Sequence, residues 1–192
     1  MECRSLAIPD IKVLTIARHA DSRGHFCETY SRKNFAALGI DCEFVQDNQS
    51  FSAAAGTLRG LHFQIPPFAQ HKLVRVVKGR IWDVAVDIRA GSPSYSRHVA
   101  LEMSGEAPEQ LFVPAGFAHG FLTLEPDTVV AYKVTSPYAP ECDRGLLWSD
   151  PALGIVWPMP AEKMILSDKD RRLPLLKDLP AHFRYDPSGS AP

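Results

Sequence analysis

Arg80-Ile81-Trp82-Asp83-Val84-Ala85-Val86-Asp87-Ile88-Arg89 alternates with period two. Trp82, Val84, Val86 and Ile88 fall on one face, and Asp83, Asp87 and Arg89 on the other. Successive side chains of an extended chain point to opposite sides, so the pattern is that of a β-strand with two chemically different faces. Val77-Lys78-Gly79-Arg80 just before it is a turn signal, and Lys72–Val77 is therefore expected to form a hairpin with Arg80–Arg89. Outward from there the same reading gives strands at Ile11–Ile16, His25–Tyr30, Phe44–Ser52, Thr57–Gln64, His98–Met103, Gln110–Val113, Gly120–Leu124 and Val129–Thr135.

The chain of 192 residues carries 16 prolines and 12 glycines, which break it into short segments. Regularly spaced short strands with turn residues between them suggest a sandwich, a jelly roll or a barrel. Ser31–Leu38 reads as one short helix, with Ser31 as its cap and Gly39 as its stop. No helical stretch is long enough for βαβ units, and no repeat is evident. The expectation is a single all-β domain over residues 1–192. The region after Lys163 is broken by Pro174, Pro180 and Pro187 and ends in Ser188-Gly189-Ser190. It reads as an arm packed over the body, peripheral from about residue 175, with a loose tip.

Hydrophobic residues make up 45% and charged residues 22%, which suits a globular domain with a real core. A net charge of −1 gives no general attraction to nucleic acid or an anionic membrane, so an anionic ligand must be met by a few placed cations. Cys3, Cys27, Cys42 and Cys142 form no C-x-x-C pair. Met1 to Val13 lacks the apolar stretch of a signal peptide, and no run approaches the ~20 apolar residues of a membrane helix. Together these point to a cytoplasmic protein with free thiols and no membrane partner.

Two clusters look chemical: Gly56-Thr57-Leu58-Arg59-Gly60-Leu61-His62-Phe63-Gln64 and Pro114-Ala115-Gly116-Phe117-Ala118-His119-Gly120. The second resembles the P-x-G-x-x-H motif of the cupins, small jelly-roll barrels. The first resembles the opening of the other cupin motif, but Gln64 stands where a second histidine would be, and Phe68, Ala69 and Gln70 sit where a glutamate is expected. Two of four usual ligands are missing, and two histidines with a neutral amide make a poor divalent-metal set. No metal is expected. Arg59 and His62 differ in strand parity, so both can serve one site only if Gly60 marks a bulge.

A narrower resemblance follows from six motifs in order: Asp21-Ser22-Arg23-Gly24, Gln46-Asp47-Asn48, Leu58 to His62, Gln70 to Val74, Val113 to Gly120, and Ile165 to Asp170. From about Ile8 to Pro174 the chain resembles the dTDP-4-dehydrorhamnose 3,5-epimerase family. The resemblance implies a cupin-type jelly-roll barrel that works as a homodimer without metal or organic cofactor. It implies inversion of carbons 3 and 5 of a dTDP-linked 4-keto-6-deoxy sugar, giving dTDP-4-dehydro-L-rhamnose.

The protons on those carbons flank a ketone, so inversion needs a base, an acid across the ring and a positive group at the enolate oxygen. Imidazole exchanges protons near neutral pH, which suits His62 as base. The resemblance pairs His62 with Asp170. A phenol keeps its proton at neutral pH, which suits Tyr132 as acid, although on pattern alone Tyr132 is a core aromatic alternating with Val130 and Val134. Lys72 suits the enolate oxygen, His119 could donate there too, and Asp83 could hold either of them. Arg23 and Arg59 are candidates for the diphosphate. By resemblance Glu28, Gln46, Asp47, Asn48, Asp143 and Lys169 complete the substrate site, Asp143 replacing the family's more usual glutamate. Phe26, Tyr30 and Tyr138 are candidates to stack on thymine. The competing readings are a single-carbon epimerase on the same scaffold, a metal-dependent cupin enzyme, and a non-catalytic nucleotide-sugar binder.

Overall fold

The computed structural model describes residues 1–187, and the expected loose tip at Ser188-Gly189-Ser190 lies outside the described residues. In chain order the strands are β1 (Glu2–Ser5), β2 (Lys12–Thr15), β3 (His19–Asp21), β4 (Gly24–Phe26), β5 (Gln46–Ser52), β6 (Leu58–Gln64), β7 (Lys72–Lys78), β8 (Arg80–Asp87) and β9 (Arg89–Ala90). They continue with β10 (His98–Ser104), β11 (Glu109–Val113), β12 (Phe117–Thr123), β13 (Thr128–Val134), β14 (Asp143–Gly145) and β15 (Phe183–Arg184). One helix, α1 (Arg32–Ala36), lies between β4 and β5.

Two antiparallel sheets make the body, in the orders β1-β2-β11-β7-β13-β5 and β10-β8-β12-β6-β14. Val13, Val74, Leu111 and Val130 of the first sheet pack with Ile81, Ala85, Phe117 and Phe121 of the second in one buried cluster. This is the all-β jelly-roll barrel that the strand pattern and the cupin resemblance anticipate.

The expected hairpin between Lys72–Val77 and Arg80–Arg89 does not form. β7 pairs with β11 and β13, whereas β8 pairs with β10 and β12 in the other sheet. Gly79, at φ +82°, turns the chain from one sheet into the other; a Cβ there would meet Thr128 Oγ1 at 2.3 Å. A turn signal reports a change of direction, not which strands then pair.

Both faces of β8 are buried. Ile81, Asp83 and Ala85 face the barrel interior, and Val84 and Val86 pack outward against Leu153, Leu176 and Phe183. Leu176 and Phe183 of the C-terminal segment thus help cover the valine face, and β15 pairs parallel to β9. Each such buried side chain contributes about 1.5–3 kcal/mol.

Two local expectations need correction. His25–Tyr30 is not a continuous strand: β4 stops at Phe26 and pairs only with β3, in an exposed hairpin whose turn is Asp21-Ser22-Arg23-Gly24. Alternation alone could not reveal that this segment lacks a sheet to join. The helix is shorter than Ser31–Leu38, and Ser31 takes the N-cap backbone conformation without a capping hydrogen bond from its side chain.

Candidate active site

The site lies between the sheets, and an irregularity in β6 shapes it. His119 pairs with His62, but Phe121 pairs with Arg59, so three steps along β6 oppose two along β12. The extra residue is a bulge at Gly60, as the parity of Arg59 and His62 required. Gly60 sits at φ +122°, the Gly60–Leu61 peptide is cis, and a Cβ on Gly60 would lie 2.7 Å from Gly120 Cα. Only glycine lets the two backbones approach this closely. Arg59 and His62 consequently line one cavity of about 200 Å³ with Ser50, Lys72, His119 and Tyr132.

His62 Nε2 lies 2.6 Å from Asp170 Oδ1. Asp170 arrives from a distant part of the chain. The segment before it runs beside the start of β6, with Leu58 N donating to Ile165 O and Ile165 N to Gly56 O. The Asp170 side chain is buried and accepts from Gly60 N at 3.4 Å. Burial alone pushes this carboxyl up, but the hydrogen bond and charge of His62, the Gly60 N–H and Ser167 outweigh it and hold the carboxyl below its usual range. The neighbouring pair is His119 with Asp83, whose two oxygens lie 2.9 and 3.0 Å from Nε2. Asp83 thus holds His119, one of the two partners suggested for it.

Lys72 is buried and donates to the His62 carbonyl at 3.1 Å. Burial lowers its ammonium to about 8, against the pull of Asp143 and Asp83, which favour the charge. Tyr132 faces the cavity from the opposite sheet, and burial raises its phenol despite the Arg59 charge. Arg59 is fixed to β5 through Ser52 Oγ at 3.3 Å and Phe51 O at 3.0 Å.

A second cavity of about 290 Å³ adjoins the first and shares His62, Lys72 and Tyr132 with it. Gln46, Asn48, Tyr138, Asp143 and Lys169 line it. Gln46 donates to Asn48 Oδ1 at 2.8 Å, and Lys169 is ion-paired with Asp143. That bond raises the Lys169 ammonium against the opposite push of burial.

Three expected residues lie elsewhere. Asp47 points to the other side of its sheet, is 73% exposed and pairs with Lys133 at 2.7 Å. Asp47 lines a separate hollow of about 430 Å³ with Arg75, Gln110 and Lys133; it is larger than either inner cavity but lies across the sheet from His62. Arg23 is 87% exposed on the β3–β4 hairpin and paired with Asp21, and Glu28 accepts from Asn34.

The donor set does not fit a divalent metal. His62 and His119 are each committed to an aspartate, and Gln64 spends its carboxamide on backbone atoms. Among the described residues, no group of three or more His, Cys, Asp or Glu side chains is arranged to hold an ion.

A family profile described as dTDP-4-dehydrorhamnose 3,5-epimerase matches residues 5–178. The dTDP-4-dehydrorhamnose 3,5-epimerase of Sinorhizobium fredii is 52% identical over 185 residues, 96% of this chain and 94% of that one. The chain belongs to the dTDP-4-dehydrorhamnose 3,5-epimerase family. The Legionella pneumophila dTDP-6-deoxy-D-glucose-3,5-epimerase, solved in complex with dTDP-4-keto-L-rhamnose, superimposes with a TM-score of 0.92 at 41% identity, covering 96% of this chain and 98% of that one. A 3′-monoepimerase from Streptomyces bikiniensis, solved as a double mutant in complex with dTDP, gives 0.86 at 32% identity, covering 94% and 92%. Membership in this epimerase family makes the chain an isomerase.

For a 3,5-epimerase the arrangement offers an oriented imidazole on one sheet, and a protonated phenol and an ammonium on the other. Two residues with a claim on this epimerase site were missed from sequence. Ser50 lines the inner cavity, and its buried hydroxyl has no hydrogen-bond partner among the described residues. The signal was parity: Gln46, Asn48 and Ser50 share a face of β5, and the same rule turns Asp47 away. Gln70, at the head of the Gln70 to Val74 motif, lines the outer cavity.

Proposed function

We propose that this chain inverts carbons 3 and 5 of dTDP-4-dehydro-6-deoxy-D-glucose to give dTDP-4-dehydro-L-rhamnose, with His62 as base, Tyr132 as acid and Lys72 at the enolate oxygen. One observation carries the reading: His62, held by Asp170, and Tyr132 enter the same cavity from opposite sheets, with Lys72 lining it too. A proton lost from one face of a ring and regained on the other needs that arrangement. Asp170 orients the imidazole and stabilises the imidazolium formed when His62 takes a proton. Lys72 supplies positive charge where the ketone oxygen becomes an enolate, and His119, its Nε2 N–H directed at Asp83, donates beside it from Nδ1 as an imidazolium. These side chains perform the whole proton exchange, so the reading uses no cofactor.

Arg59 is assigned to the diphosphate, and Gln46, Asn48, Asp143 and Lys169 to the nucleoside end. Tyr138 is assigned as the ring that stacks on thymine: it is 58% exposed at the outer cavity, with its hydroxyl 3.4 Å from Asp143. Arg23 and Glu28 are assigned to the partner's site in a homodimer, where the β3–β4 hairpin of one copy reaches the other. The exposure of that hairpin, including Phe26 at 69%, supports this. The chain works as one domain, with about 175–192 as its peripheral arm. Four free cysteines suit the cytoplasm, and among the described residues no helix is long and apolar enough to cross a membrane.

The test is mass spectrometry of dTDP-4-keto-6-deoxy-glucose incubated with the protein in heavy water, with His62→Ala as background. Two deuterons above background are expected. One deuteron would mean single-carbon epimerisation, and none with bound substrate would mean a binding protein.

A further inference from the structure

Gln64 occupies the position at which the metal-binding cupin pattern carries its second histidine. It lies two residues from His62 on the same face of β6 and lines the outer cavity, yet its side-chain hydrogen bonds all run to backbone atoms. Gln64 is 3% exposed. Its amide nitrogen donates to Phe68 O at 2.8 Å and to Pro137 O at 3.0 Å, and its oxygen accepts from Ala139 N at 2.8 Å. All three partners are backbone atoms of two loops, and two of them flank Tyr138.

Among the described residues, the β13 ladder ends with Thr135 N donating to His71 O at 3.3 Å. Side chains take over from the ladder. Ser136 O accepts from Gln70 at 2.8 Å, Pro137 O from Gln64, and Tyr138 N donates to Gln46 Oε1 at 3.0 Å. Ala139 N completes the series on Gln64. Four successive residues are each held by a glutamine side chain, and Gln64 holds the two on either side of the exposed ring. Buried amides with several good partners fix a backbone more tightly than one surface bond does, because breaking them leaves desolvated polar groups unsatisfied.

We propose that Gln64 is a positioning residue for the nucleotide end of the substrate: it acts through the Pro137–Ala139 backbone to hold Tyr138 as a wall of the outer cavity. The inference rests on the assignment of Tyr138 to the base. The side chain at a metal-ligand position thus serves affinity for the nucleotide and leaves the proton chemistry at His62 alone.

The test is a double-mutant cycle of Gln64→Met with Tyr138→Ala, read as the inhibition constant of dTDP and as KM and kcat for dTDP-4-keto-6-deoxy-glucose. Met keeps the length of the side chain and removes its donors and acceptor. Gln64→Met is expected to raise KM and the dTDP inhibition constant about tenfold, the scale of one base–aromatic stack, with kcat within about twofold. In the Tyr138→Ala background the same substitution should add less than about twofold. Equal tenfold effects in both backgrounds, or a fall in kcat at constant KM, would overturn the role of Gln64 while leaving Tyr138 at the base. Unchanged dTDP inhibition in Tyr138→Ala alone would overturn both. If Gln64→Met does not fold, Gln64→Glu keeps the acceptor for Ala139 N and loses both donors; the cycle is then run with that variant and read by the same criteria.

Discussion

His62 and His119 are direct cross-strand neighbours, and each is bonded to an aspartate, yet the two pairs are built differently. The His62 side chain is 32% exposed and that of His119 is 8% exposed. Asp170 comes from the C-terminal segment, more than a hundred residues along the chain from His62, whereas Asp83 sits on β8, the strand next to His119. A proton donor or acceptor that must cycle needs an open edge toward its substrate. A group that only has to present a fixed N–H can be sealed in. The first pair has the form of a base, and the second has that of a fixed donor. Sequence distance follows the same division: the His62–Asp170 pair depends on the C-terminal segment lying against β6, and the His119–Asp83 pair depends only on neighbouring strands of one sheet.

The sharpest way to break this contrast is to remove each imidazole. His62→Ala should lower kcat roughly 10²–10⁴-fold, the usual contribution of a positioned base, and abolish solvent-deuterium exchange into the substrate. His119→Ala should lower kcat by about tenfold to a hundredfold and leave exchange measurable. Exchange lost equally in both variants would erase the division of roles.

A second test separates the pairs through the backbone. Gly60 donates to Asp170 and carries the bulge. Gly60→Ala sets a Cβ 2.7 Å from Gly120 Cα and 2.8 Å from His119 O. It should lose about 2–4 kcal/mol of stability in denaturant titration, together with most activity. Gly91→Ala is the control: its φ of +85° is also unfavourable, but a Cβ there meets nothing within 4 Å. It should lose only about 1 kcal/mol. Similar losses in the two variants would mean that the crowding at the bulge is relieved elsewhere.

The third test uses Lys72, which touches both pairs: it donates to the His62 carbonyl, and the charge of Asp83 supports its own. Its ammonium loses its proton at about 8 in the fold, below the ~10.4 of an unfolded chain. Activity that needs this charge is therefore full below pH 8 and declines above it. Stability moves the opposite way, rising with pH between about 8 and about 10.4, where the unfolded chain binds the extra proton. Asp83→Asn withdraws one of the two supporting carboxylates and should shift the alkaline limb of the kcat profile to lower pH. Asp170→Asn should lower kcat but leave the limb in place. A limb that stays put in Asp83→Asn, or persists in Lys72→Met, would detach Lys72 from the profile.

The sequence made the barrel legible because period-two alternation is a local property, and most strands began and ended within a few residues of their expected places. Strand pairing was not legible, and Gly79 shows why: a turn looks the same whether the chain folds back on its own sheet or crosses to the other. The bulge at Gly60 was legible from a conflict, since Arg59 and His62 could share a cavity in no other way. The His62–Asp170 pair rested on resemblance alone, because no periodicity links residues 108 apart. The clamp on the Tyr138 loop was invisible because its bonds run from side chains to backbone, and backbone atoms leave no mark on a sequence.

The smallest expected effect tests how far a motif is trusted against parity. Gln46-Asp47-Asn48 enters by resemblance as a block of substrate residues, and alternation along β5 divides it. Gln46 and Asn48 share the cavity face with Ser50, whereas Asp47 pairs across the outer face with Lys133. That bond is a surface ion pair with one largely exposed partner, worth ~1 kcal/mol or less. Asp47→Ala should therefore change kcat and KM by less than about threefold and stability by under ~1 kcal/mol, whereas Asn48→Ala should raise KM about tenfold. The outer face carries the 430 Å³ hollow, so a second copy of the chain docking there would give Asp47 a larger role. Sedimentation of Asp47→Ala separates the two cases. A large kinetic effect in a variant that still self-associates like the parent would mean that Asp47 reaches the substrate after all, and that strand parity is the weaker guide at this edge.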